Sequence, residues 1–157
     1  MDRLDAELAQ VGAVLLEERV LRRVIKKHRQ LPGIGLQVPH AQCYALPRDA
    51  LIPLVEDDEL RADPAALPAQ VAVIHAPRAT LAAGDPAALT AAWRATFHAH
   101  VHLAFDAVIA RGALPPAVVR ERIHRIGQTE FDEIRWVLRQ EDLLLPPIDD
   151  TQTYVEF

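Results

Sequence analysis

The apolar positions along the chain change their period twice. From residue 2 to about residue 29 they recur every three to four residues. Leu4, Leu8, Val11 and Leu15 share one helical face, extended by Val14, Leu21 and Ile25. Ala13, Leu16, Val20 and Val24 form a second stripe roughly opposite. The pattern predicts one long helix over residues 1–29. Asp2 and Asp5 stand at its positive end, and Arg22, Arg23, Lys26, Lys27 and Arg29 at its negative end. A helix that is apolar on two sides is covered on both or offers one stripe to a partner.

From residue 30 to residue 85 the periodicity is broken by Pro32, Pro39, Pro47, Pro53, Pro64, Pro68 and Pro77. Val71 to His75 is the best strand candidate, Ile34 to Val38 a second, and Ala50 to Val55 a helical turn. This proline-rich segment is expected to wrap the core and to contribute one or two short strands.

The helical period returns at residue 86. Asp85-Pro86 is an N-cap followed by proline at the first helical position, and Arg111-Gly112 suits a C-cap. Between them Leu89, Trp93, Phe97, His100, Leu103, Ala104 and Ala107 form a broad apolar face, with Phe105 and Ile109 opposite. The central helix over 86–112 is therefore expected in the middle of the fold, packed on two sides. A helical hairpin follows over 115–142. Pro115-Pro116 starts its first helix, which buries Val119, Ile123 and Ile126, and Gly127 ends it. Thr129 caps its second helix, Glu130 to Gln140, in a capping-box-like arrangement with Asp132. Phe131, Ile134, Val137 and Leu138 face inward there, while Trp136 points away from them, toward a partner or toward the tail 143–157. Together these elements predict a mainly α chain: a single, irregular helical domain built on a central helix.

Composition narrows the function. The chain has 157 residues, half of them hydrophobic, which is enough for a real core and argues against disorder. Serine and asparagine are absent, which removes Ser-His-Asp catalysis and N-glycosylation. One cysteine, Cys43, allows no internal disulfide and suits a reducing, cytoplasmic setting. Of the 17 basic residues only Lys26 and Lys27 are lysines, a bias expected of a GC-rich bacterial genome. No apolar run is long enough to span a membrane, and a net charge of −5 argues against a general nucleic-acid binder. The last residues, Thr-Gln-Thr-Tyr-Val-Glu-Phe, read as the opening of another element, so the chain is expected to be the N-terminal part of a longer protein.

Three of the seven histidines, His98, His100 and His102, fall in the central stretch. The run His-Ala-His-Val-His-Leu-Ala resembles the motif of the histidine-triad nucleotide hydrolases and transferases, seven residues in all. The resemblance implies a strand over Phe97 to Phe105 and His100 as the nucleophile on an α-phosphate. The flanks favour a helix instead, since no breaker precedes or follows the run. On a helix His98 and His102 are spaced i, i+4, and Asp106 continues the row. That spacing offers two imidazoles and a carboxylate to one divalent metal such as zinc, with His124, Glu130 or Asp132 as further donors. His100 then points to the apolar face and bonds a main-chain carbonyl.

Two other features carry chemistry. Arg19 to Arg29 holds seven basic or imidazole groups, either an anion-binding patch or a helix end neutralised by Glu17, Glu18 and the acidic run Glu56 to Glu59. The neutralised helix end is the favoured reading. His40, Gln42 and Cys43 could form a thiol site, but a lone cysteine is most often a small buried apolar residue. No complete catalytic set is present. The expected function is a non-enzymatic helical interaction or scaffold module of a larger bacterial protein. Trp136, Arg22, Arg23, Lys26 and Lys27 are its contact residues, and a protein partner, self-association or the C-terminal continuation its occupant. A metal site or hydrolase on His98, His102 and Asp106 is the alternative, and the histidine-triad enzyme the second.

Overall fold

The computed structural model describes residues 3–31, 43–141 and 143–157, and 63% of the described residues are helical. The expected mainly α architecture with short strands is what forms. The chain divides into two compact units, Met1–Leu103 and Ala104–Phe157.

The first unit is built on three short strands, β1 (Ala13–Leu15), β2 (Cys43–Pro47) and β3 (Gln70–Ile74), in the order β1-β3-β2. The β1–β3 pair is parallel, with Ala13 opposite Ala72, and the β2–β3 pair antiparallel, with Cys43 opposite Ile74. Two of these strands lie in the proline-rich segment, and β3 matches the strand expected at Val71 to His75. The strand expected at Ile34 to Val38 lies outside the described residues. The helical turn expected at Ala50 to Val55 is present as α3 (Arg48–Leu51) with a 3-10 turn at Ile52–Leu54.

The long helix expected over 1–29 does not form. It is α1 (Arg3–Gln10), then β1, then α2 (Glu18–His28). Gly12 makes the break: it takes φ +69°, and its N–H donates to the Ala9 carbonyl at 3.0 Å, closing α1. A side chain there would be strained, and its Cβ would lie 3.1 Å from Pro68 Cγ. Ala13, Val14, Leu15 and Leu16 then run fully apolar and fully buried, the signature of a strand covered on both faces. A short apolar run of this kind fits a helical stripe as well as a strand, which is why periodicity misassigned it.

Side chains alternate across the sheet. Ala13, Leu15, Cys43, Ala72 and Ile74 form one core with Leu4 and Leu8 of α1, Leu81 of α4 (Arg78–Ala82) and Ala92, Ala95 and Ala99 of α5 (Pro86–Ala110). Val14, Val71 and Val73 point to the opposite face. There Tyr44 donates its hydroxyl to, or accepts from, His28 Nδ1 on α2 at 2.8 Å. Asp5 of α1 is buried and receives two bonds from the Arg78 guanidinium, at 3.0 and 2.6 Å, which ties α1 to α4.

α5 starts where expected. The Asp85 carboxylate accepts from the Ala88 N–H at 2.7 Å, and Gly112, at φ +70°, follows its end. Its packing differs from expectation. The buried residues are alanines, while Leu89, Trp93 and Phe97 stand outside. The small alanine side chains share a buried core with Ala13, Leu15, Ala72 and Ile74 of the sheet.

The second unit contains the end of α5, α6 (Pro116–Ile126), α7 (Gln128–Gln140) and α8 (Asp150–Glu156). Leu114, Val119, Ile123 and fully buried Phe131 form its core, with Phe105, Val108 and Tyr154 packed against it. The hairpin over 115–142 is as expected except at its joint. Gly127, at φ +105°, passes directly into α7, so Thr129 is not the cap. Asp132 instead accepts from Gln128 Nε2 at 3.1 Å. The tail ends in α8, whose N-cap Asp149 accepts from the Gln152 N–H at 2.7 Å.

Candidate functional site

The histidine stretch lies wholly within α5. The strand that the histidine-triad resemblance needs over Phe97 to Phe105 is absent, so that reading ends here. His100 confirms this at atomic detail. Its Nδ1 lies 2.8 Å from the Thr96 carbonyl oxygen and its Nε2 3.0 Å from that of Val11. Whichever nitrogen carries the proton donates to the carbonyl it faces, and neither is aimed outward as a nucleophile. His100 bonds main-chain carbonyls as expected, but it does so from an exposed position rather than from the core.

His98 and His102 do come together. Their Nε2 atoms are 2.8 Å apart, their ring centroids 4.6 Å apart, and both rings are half-buried. One helical turn separates them, so their side chains stand one above the other. Asp106 stands one turn further along α5 and is exposed, and His124 is exposed on α6. Glu130 packs beside Gly127, and Asp132 is engaged by Gln128 and by Arg135 at 3.3 Å. Of the expected ligands the structure places two at bonding distance from one point.

The aromatic face of α5 gives a second feature. Trp93 and Phe97 stack with ring centroids 5.6 Å apart and planes within 11°. They are 65% and 59% exposed, and Leu89, one turn earlier, is 47% exposed. The spacing i, i+4, i+8 lines the three up as one apolar stripe. Hydrophobicity alone places these residues in the core; in the structure the alanine face is buried instead. Trp136 on α7 is 63% exposed, off the core face as expected and not covered by the tail. Its neighbour Val137, expected inside, is also exposed.

Two cations of α2 are paired with carboxylates. Arg22 pairs with Glu18. Arg23 reaches both carboxylate oxygens of Glu59, one of them at 3.0 Å, and donates to the Leu54 carbonyl at 3.2 Å. The Arg23 guanidinium holds the Glu59 carboxyl below its ordinary range, helped by the Glu56 N–H at 2.9 Å, and Glu59 in turn raises Arg23. Lys26 and Lys27 line an open cleft of about 680 Å³ with Arg19, Arg22 and Leu31.

A cleft of about 590 Å³ opens where the parallel strands β1 and β3 end, the usual place for ligands on open α/β sheets. His75 lines it and donates Nδ1–H to the Leu16 carbonyl at 3.1 Å, which leaves its other nitrogen as an acceptor. Of its charged lining residues, Glu18, Glu59 and Arg78 are engaged in ion pairs. This cleft had no sequence signal, because β1 read as helix and the carboxyl end of the pair could not be placed. Cys43 is buried on β2 as a core residue, and His40 and Gln42 of the thiol site lie outside the described residues.

No protein-family model matches the chain, and no curated protein or solved structure shows significant similarity to it. Among the described residues no helix is long and apolar enough to cross a membrane.

Proposed function

We propose that the chain is a non-enzymatic helical interaction module and that the Leu89–Trp93–Phe97 stripe is its contact surface. One observation supports this above the others: two stacked aromatic side chains stand in solvent on a well-formed helix whose buried face is already complete. Exposed aromatic anchors of this kind dominate interface energetics. Trp136, on the second unit, is a further anchor of the same type. The basic residues first considered for contact fit the reading less well, since Arg22 and Arg23 are committed to Glu18 and Glu59.

The test is site-specific photo-crosslinking from position 93 in cells that make the protein. Discrete crosslinked species, to a partner or to a second copy, are expected, and Phe97→Glu should abolish them. A chain that yields no discrete species and stays monomeric at high concentration is not a module working through this stripe. The alternative, a metal-dependent hydrolase on the histidine row, draws on the convergence of His98 and His102.

A further inference from the structure

We infer that His98 and His102 form a binding site for a divalent transition ion of the zinc type, held by the two Nε2 atoms across one turn of α5. The inference is independent of the aromatic stripe. Its basis is geometric. Both rings are held half-buried on one helix, both turn the same nitrogen inward, and those atoms stand 2.8 Å apart. Zinc–imidazole bonds of about 2.05 Å at a tetrahedral angle put two ligand nitrogens about 3.3 Å apart. Opening the pair from 2.8 Å to that distance takes about 0.5 Å, a small side-chain rotation. No backbone change is needed, because α5 already sets the rings one above the other.

The pair is also chemically selective. Two imidazoles with water in the remaining positions suit zinc, copper or nickel and not magnesium or calcium, which take oxygen donors. Without metal one ring donates Nε2–H to the other. When the ion binds, the donor ring moves its proton to Nδ1, so each neutral ring keeps one N–H and offers one lone pair. Acid competes with the metal by protonating the imidazoles. Other faces of the same helix are unsuited: His100 directs both nitrogens at main-chain carbonyls.

The experiment uses the full chain without a tag. Zinc chloride is titrated into the protein while the imidazole nitrogens are followed by ¹⁵N NMR. The Nε2 resonances of His98 and His102 are expected to shift together at low zinc and the other histidines to stay in place. This needs no variant. Zinc that moves other imidazoles while leaving these two unchanged overturns the site. Calorimetry on His98→Gln and His102→Gln gives the second reading. Each should lose zinc affinity by at least about tenfold, since loss of a ligand exceeds loss of an outer-shell partner. His124→Gln should bind as the native chain does. Equal affinity in all three variants also overturns the proposal.

Discussion

The two faces of α5 in the first unit show what burial selects for. One face presents Ala92, Ala95 and Ala99, which bring the helix against Ala13, Ala72 and Ile74 of the sheet. The other presents Leu89, Trp93 and Phe97 to solvent. Fully burying a side chain as large as Phe97 stabilises a fold by about 1.5–3 kcal/mol. The chain forgoes that for two aromatic residues and packs alanines, each contributing far less. The alanine face shares one core with the small and branched side chains of the sheet. The aromatic stripe is what remains when the core is already closed, and it is available for something else.

The comparison can be broken or sharpened by substitution. The largest effect is expected beside the buried face, at Asp5. Asp5→Ala leaves the Arg78 guanidinium without the carboxylate that receives its two bonds and should cost about 3 kcal/mol, read by denaturant unfolding. If the loss is well under about 1 kcal/mol, the α1–α4 pair is not a structural tie. Next is Ala99→Leu. Added methylenes in a closed interface should cost about 2 kcal/mol, and a neutral result would mean the alanine ridge is not tightly fitted.

The Arg23–Glu59 pair gives a smaller, pH-dependent term. The folded-state carboxyl titrates below its ordinary value of 4.5, so the stabilisation is fully present above that value. It fades as the pH falls through the lower folded value. Both groups are partly exposed, so the term is no more than about 1 kcal/mol. Glu59→Gln should flatten this part of the acid limb, and an unchanged acid profile would contradict the assignment. The smallest effect is expected outside: Trp93→Ser should change stability by about 0.5 kcal/mol or less while weakening association. A large destabilisation would place Trp93 in the core after all.

The sequence was most legible where punctuation was strong. Asp85-Pro86, Gly112, Pro116 and Gly127 delimited α5, α6 and the joint to α7 to within a few residues. Val71 to Ile74, β-branched and bounded by turns, declared β3. The N-terminal stretch was misread because Ala13 to Leu16 fits both periods and Gly12 looked like one more helical residue. Only the pairing of Ala13 with Ala72 decides it, and that is a non-local fact. The metal candidates were half legible. The i, i+4 spacing sets His98 against His102 by helix geometry alone, whereas His124 depended on tertiary placement that spacing cannot supply.

The parallel pairing of β1 and β3 also sets an order of events in time. Among the described residues β1 pairs with β3, so this ladder forms only after the chain as far as Ile74 has been made and Ala72 brought beside Ala13. Closing so long a loop is an entropic debt that precedes any contact energy, and topologies of this kind fold slowly. The contacts of the Ala104–Phe157 unit close shorter loops, as between Arg122 of α6 and Tyr154 of α8. During synthesis β1 therefore emerges well before β3, and the apolar Ala13–Leu16 run waits for that strand to complete its pairing.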